Sequence, residues 1–478
     1  MRKIFTLCLL LLCLHANGSA QTLTREQMLE DYNQLYTTLT TNVPHFGVRR
    51  RATGMNIPRR LERLKQSIDT VSCDGGFYDI LNRALALCND MHISVDGSCR
   101  DSAALARTYN AYMKHNPFLP NKAKGVIYID GKYYTPGYGN KQGEAIPYLS
   151  ELTHINGTPI DKYVAKHNSW VCSATRWDFK HHKAWATELH DPRKVLGDDK
   201  FTWTVLIDGK SKEVDMTNLG YIYLRDYFDD DVFRVNYFER DNTLYIRIPK
   251  MNLSKAEWIE NEIAKHIGKP LKRVVIDVRG NGGGNDFTWR RTLEAIIDKP
   301  LHIPLRQAVK NLYVLSSQDY KGVRDIDVYG DKLKAYIDSD SETYLYPSER
   351  SLKYGGKIYV MVDSGIFSST LGLLSACQRS ESLVSIGTPS GYLGGIGGTP
   401  QTDILRHSRF AYRYPITLET TEADQRKPES YYKDEVDVVI WPTLEQKMVQ
   451  LKYNKPQHAE EFLYNHDWVF RKILEIDK

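Results

Sequence analysis

A serine, a glycine-rich loop and a histidine are the residues in this chain whose types could do chemistry together. Ser368 stands in KIYVMVDSGIFSSTLGLLSACQ, residues 357–378. Lys357 to Val362 is an apolar, β-branched run without polar alternation, which predicts a short buried strand. Asp363, Ser364 and Gly365 make a tight turn, and Ser368 then opens a helix through Thr370, Leu371, Leu374 and Ala376. At a helix N-terminus, unpaired backbone N–H groups and the helix dipole favour developing negative charge. That suits a nucleophile whose acyl intermediate needs an oxyanion hole. The plainer alternative is that Ser368 or Ser369 only caps the helix.

The loop Arg279-Gly280-Asn281-Gly282-Gly283-Gly284-Asn285 joins a strand to a helix. It is no dinucleotide fingerprint, because Asn285 occupies the last glycine position, and the phosphate-binding Lys-Ser/Thr pair is absent. It can still present backbone N–H groups to an oxyanion, or serve simply as a turn where glycines take positive φ. His92 lies in Asn89-Asp90-Met91-His92-Ile93-Ser94-Val95, and a lone histidine is more often structural than catalytic. No GxSxG, HExxH or CxxC pattern occurs.

Three regions must position these groups. Thr24 with Gln27 forms a capping-box start, and Leu29, Tyr32, Leu35 and Tyr36 continue at helical spacing. A second helix is predicted over Arg59 to Ile68. A third carries Phe77, Ile80, Leu81, Ala84, Leu85 and Cys88 on one face and runs into the His92 segment. From Lys122 to Leu224 the chain is β-rich, with hairpins expected at Asp130-Gly131 and Asp208-Gly209 and an Asn-Gly turn in LTHINGTPI. His181, His182, Glu188 and His190 match no metal-site spacing and read as a solvated charged helix. From Thr243 strands and helices alternate, predicting a largely parallel buried sheet. Leu301 to Tyr354 is polar and reads as irregular, a lid or a decoration.

The 478 residues call for two or three domains, and 41% hydrophobic residues supply an ordinary globular core. Arg2 and Lys3, the apolar run Ile4 to Leu14 and Gly18-Ser19-Ala20 read as a signal peptide over residues 1–20, predicting export to the periplasm or beyond. No stretch is long enough for stable membrane insertion. A net charge of +5, spread evenly, does not call for nucleic acid. Cys73, Cys88, Cys99, Cys172 and Cys377 remain after Ala20, an odd set that permits one bridge among the first three.

Several segments, in order, resemble the tail-specific (C-terminal-processing) and tricorn-type serine peptidases. DVRGNGGG is similar to that family's Gly-rich loop and VDSGIFSST to its nucleophile segment. SIGTPSGYLGG resembles its following strand and turn, LTHINGTPI the closing strand of its PDZ-like module, and NDMHISV its Asp-Gly-His segment. The processing branch uses a lysine about two dozen residues after the serine, but none occurs here between Ser368 and Lys427. The resemblance therefore points to the tricorn-like branch, in which a histidine is the base.

Carried over, it implies Ser368 as nucleophile and His92 as general base. The backbone N–H groups of Ser369 and of Gly282 or Gly283 would form the oxyanion hole, and Glu435 would be the distant orienting carboxylate. The family's orienting serine falls at Met91, and Leu371 replaces an acidic residue that often follows the nucleophile. The implied architecture is an α/β multidomain protein: a signal peptide (1–20), a helical N-terminal domain (21–118), a PDZ-like β-rich module (119–238), a ClpP/crotonase-like βα catalytic domain (239–455) and a C-terminal helix (456–478). The implied activity is serine endopeptidase hydrolysis of peptide or unfolded protein through an acyl-enzyme, with no cofactor and no metal. The competing expectation is an inactive scaffold of the same shape that binds a peptide, glycan or lipid.

Overall fold

The computed structural model describes residues 23–71, 73–96, 100–115, 123–167, 175–195, 198–222, 232–303, 306–314, 321–337, 344–392, 400–420, 436–453 and 456–477. The signal-peptide expectation, Cys99, Cys172 and Glu435 lie outside the described residues.

The N-terminal part is helical. Helix α1 (Arg25–Asn42) starts on the expected Thr24–Gln27 capping box, and α2 (Phe46–Thr53) and α3 (Ile57–Lys65) follow, with a 3-10 turn after α3. Helix α4 (Asp74–Leu87) buries Phe77, Ile80, Leu81 and Ala84. The core of this part also takes in Leu405, Phe410, Tyr412, Tyr414 and Ile416, from more than 300 residues on. Ala411–Tyr414 pairs with both Gln401–Ile404 and Ser94–Val95, so the segment after His92 is an edge strand of that small sheet.

The β-rich part is a seven-stranded antiparallel sheet. Two-residue hairpin loops fall at Asp130-Gly131, Asn156-Gly157 and Asp208-Gly209, where all six residues take positive φ. The segment around His181 is not a helix. Arg176–Asp178 pairs with Lys183–Trp185, and Glu188–His190 is a strand with His190 buried. The strands here are only three residues long, too short to show a period of two.

The third part is a six-stranded sheet: β1 (Arg234–Phe238), β2 (Thr243–Arg247), β3 (Arg273–Asp277), β4 (Ile358–Val362), β5 (Leu383–Gly387) and β6 (Val438–Val439), in that order. Only β1 runs antiparallel. Helices α5 (Leu253–Ala264), α6 (Phe287–Glu294) and α7 (Ser369–Cys377) belong to this layered core. Helix α8 (Trp468–Ile476) packs on the other face, against Val275, Tyr359 and Met361. Strands β2 to β4 are buried at every position, as strands covered on both faces must be.

The described residues of 301–354 are not irregular. Lys321–Val328 and Asp331–Ile337 form a hairpin that joins Arg306–Val309 and Thr417–Thr420 in a four-stranded antiparallel sheet. Among the described residues, no helix is long and apolar enough to cross a membrane. Cys73, Cys88 and Cys377 are free thiols.

Candidate active site

The C-terminal ends of the adjacent parallel strands β3 and β4 open onto two loops, the glycine-rich one and the one that carries Ser368. Such strand ends are where open α/β sheets build their sites. The two loops are tied together. Asp363 Oδ1 accepts from Gly280 N and Gly365 N, each at 2.8 Å, and Phe367 N donates to Asn281 O at 3.1 Å. Beneath them Asp277 is gripped by both Arg279 and Arg247, and Arg279 reaches Asp467 at the start of α8. Burial opposes ionisation of Asp277, but the two guanidinium groups hold its carboxyl well below the usual range.

Ser368 is the residue before the first turn of α7, yet its side chain caps nothing. Its φ of 53° and ψ of −123° are costly for a residue with a Cβ, and such strain persists only where its surroundings enforce it. The strand-to-helix turn pushes Oγ outwards, where it lies 3.0 Å from Nε2 of His92, 276 residues earlier in the chain. Phe367 stacks on the same imidazole with ring centroids 4.6 Å apart.

Asp90 completes this arrangement, and sequence reasoning did not single it out. Residues 90–93 form a turn in which Ile93 N donates to Asp90 O, and Asp90 Oδ1 accepts from His92 N at 2.8 Å. That short Asx-type turn also puts Oδ1 3.1 Å from His92 Nδ1. With Nδ1 facing a carboxylate, the neutral imidazole carries its proton there and leaves Nε2 free to accept from Ser368. Burial resists ionisation of Asp90. Contacts from His45 and His92, with the charge of Arg49, nonetheless hold its carboxyl well below the ordinary range. An Asp two residues ahead of a candidate histidine is the signal that could have found it.

The oxyanion-hole candidates sit beside the serine. A Cβ on Gly283 would lie 2.7 Å from Ser368 Cβ and 3.0 Å from Ser369 N, so only glycine lets the loop approach. The N–H of Gly283 is donated to Asn281 Oδ1 at 2.9 Å. Among the described residues, those of Gly282 and Ser369 have no acceptor. Ser368, His92, Ser369, Gly282 and Gly283 are thus brought together. The resemblance placed an orienting serine at Met91; the side chain in contact with His92 Nδ1 is that of Asp90.

The family model described as Peptidase family S41 matches residues 242–430. The chain is also similar to the crystal structure of mature CPAF, at 13% identity and a TM-score of 0.59, covering 95% of this chain and 98% of that one. A second structure, mature CPAF complexed with lactacystin, matches at 13% identity and a TM-score of 0.53, covering 84% and 91%. No curated protein sequence matches. Over residues 242–430, the stretch that carries the Gly-rich loop and Ser368, the chain matches peptidase family S41, and there it is similar to the tail-specific and tricorn-type serine peptidases. By class it is a serine-type peptidase, and peptide or protein is its substrate class.

Proposed function

We propose that the chain is an exported endopeptidase of the tricorn-like branch, working through an acyl-enzyme on Ser368. The observation that carries this reading is the 3.0 Å approach of His92 Nε2 to the uncapped Ser368 Oγ. Ser368 attacks the scissile carbonyl while His92 Nε2 takes the hydroxyl proton. Asp90 holds the imidazole and stabilises the imidazolium that forms. The tetrahedral oxyanion is met by the N–H groups of Ser369 and Gly282, the Gly283 N–H being engaged by Asn281. As the intermediate collapses, His92 returns the proton to the leaving amine. Water then repeats the sequence on the ester and frees Ser368.

In this proposal the six-stranded unit is the ClpP/crotonase-like domain and the antiparallel sheet, with its short helix Ile160–Lys166, is the PDZ-like module. Substrate would bind by adding a strand to a sheet edge. Glu435 is retained as a second carboxylate candidate on its sequence position. Export rests on the n-, h- and small-residue pattern of residues 1–20.

The test is intact-mass analysis of the processed protein after a fluorophosphonate probe, beside Ser368→Ala and His92→Ala. One adduct on the wild type, absent from both variants, supports the mechanism. An adduct that survives in His92→Ala removes His92 as the base. No adduct on the folded wild type overturns the peptidase chemistry in favour of a binding scaffold. Lactacystin, the ligand in one mature CPAF structure, is a second compound to try.

A further inference from the structure

The carboxylate that holds His92 is itself held from behind. Asp90 Oδ2 lies 2.8 Å from Nε2 of His45 and 3.4 Å from Nη2 of Arg49. Arg49 Nε donates to His45 Nδ1 at 3.1 Å. A guanidinium cannot accept, so His45 Nδ1 is the acceptor, and its neutral ring must carry the proton on Nε2, facing Asp90. Burial, with Arg49 beside it, pushes the His45 ring towards that neutral form. His45 is fully buried, Arg49 is 3% exposed and Asp90 6%. In so dry a place each contact on the carboxylate counts heavily.

His45 and Arg49 bracket the first turn of α2, and that turn rests on the four-stranded sheet. Gly47 N donates to Asp331 Oδ2 at 2.6 Å, and Asp331 Oδ1 pairs with Lys310 at 3.1 Å. Lys310 also donates to Thr40 O at the end of α1, and Arg50 to Tyr329 O. A Cβ on Gly47 would meet Val328 O at 2.7 Å, so the helix and the hairpin turn are in backbone contact. Val48 fills a small core with Ala308, Val328, Leu333, Ala335 and Leu418.

We propose that His45 and Arg49 are positioning residues for the hydrolysis, fixing Asp90 and through it His92, and that the hairpin at Tyr329–Asp331 seats them. This rests on the mechanism above, in which Asp90 orients the base. The hairpin then belongs to the machinery of the reaction rather than to its surroundings, and its displacement would disarm the serine without touching the cleft.

The test compares two amides at one position. In His45→Gln the side-chain amide reaches where Nε2 stood and keeps an N–H against Asp90; in His45→Asn it reaches only the Nδ1 position beside Arg49. The fluorophosphonate labelling rate is expected to stay within about threefold of wild type in His45→Gln and to fall about 10- to 100-fold in His45→Asn, the range a hydrogen bond to a buried carboxylate commands. Circular dichroism and the melting transition establish that both variants are folded. Equal rates in the two overturn the proposal, whether both are fast or both slow. Should His45→Asn fail to fold, Asp331→Asn decides, since it leaves His45 and Asp90 intact. Slowed labelling there supports the hairpin's part, and wild-type labelling overturns it. A wild type that takes no label is a different failure, because it removes the mechanism itself and this proposal with it.

Discussion

Asp90→Asn is the sharpest single perturbation of this site, because every atom around the carboxylate is a donor. On one side are the backbone N–H and Nδ1 of His92, at 2.8 and 3.1 Å; on the other are Nε2 of His45 and a terminal nitrogen of Arg49. A carboxylate accepts from both sides, whereas an amide accepts on one and donates on the other. If the amide NH2 faces His92, it opposes the backbone N–H and forces Nδ1 to accept. The imidazole proton then sits on Nε2, pointing at Ser368, and the ring cannot act as a base. If NH2 faces His45 and Arg49, donors meet donors around a buried cation.

The wrong tautomer, with loss of the negative charge behind the imidazolium, costs on the order of 10³- to 10⁴-fold in kcat, or roughly 4–5.5 kcal/mol of barrier. Leaving the buried Arg49 uncompensated adds a stability loss of about 3–5 kcal/mol, felt first in the α2–α4 region. The assay is the rate of fluorophosphonate labelling and of hydrolysis of an unfolded protein such as casein, with Glu435→Gln in parallel and melting followed by circular dichroism. Labelling of folded Asp90→Asn within about threefold of wild type would refute the reasoning. A collapse in Glu435→Gln alone would move the orienting role to that residue.

Three further outcomes follow from the same geometry. Gly283→Ala must push its new methyl against Phe367 O at 2.6 Å and Ser368 Cβ at 2.7 Å from a φ of 100°, whereas Gly282→Ala meets nothing within 4 Å. A loss of activity beyond about 100-fold is expected in the first and little change in the second, and equal activities would refute the close approach. Burial lowers the pKa of His190 from 6.5 to about 4, so the unfolded chain binds the extra proton between those values. Stability present above pH 6.5 is then lost as the pH falls towards 4, by at most about 3 kcal/mol, and His190→Gln should flatten that part of a melting-temperature profile. Arg176, stacked on Trp185 at 4.8 Å and Tyr392 at 4.5 Å, holds the β-rich part against the aromatic stack behind His92. Arg176→Ala should lose roughly 2 kcal/mol per desolvated ring and slow labelling more than tenfold, whereas unchanged labelling would show that the clasp is independent of the site.

The parts of the site that could be read in the sequence are those set by local physics. An apolar strand, a tight turn and a helix start put Ser368 at a strand end, and the run of glycines marks where two backbones approach. Asp90 was visible as a residue, but its role depends on an Asx turn that folds the carboxylate back over its own histidine, and aspartates near histidines are common. His45 and Arg49 carried no signal, since their proximity to Asp90 is a tertiary contact between the start of α2 and the turn that follows α4. The 301–354 region looked irregular because one partner of its sheet, Thr417–Thr420, arrives from far down the chain, although the alternation in Asp325 to Val328 and Lys332 to Ala335 was itself a strand signal. In the same way Leu405 to Ile416 reads as part of the third region but fills the core of the first.

The strained backbone of Ser368 explains why the site is built across so many seams. A φ of 53° at a residue with a Cβ is an expense of about 1–3 kcal/mol that nothing within α7 offsets. What enforces it comes from elsewhere: Asn281 O on Phe367 N, Asp363 bridging two loops, and His92 from the helical part meeting Oγ. His92 is held in turn by Asp90, and Asp90 by a helix seated on a hairpin that begins more than 200 residues later. Each part contributes one constraint, and no part alone contains Ser368, His92 and Asp90. Under the proposed mechanism the serine is activated only when all of them are docked, which makes the docking interfaces, rather than the reactive groups, the places where activity can be lost while every one of those groups remains.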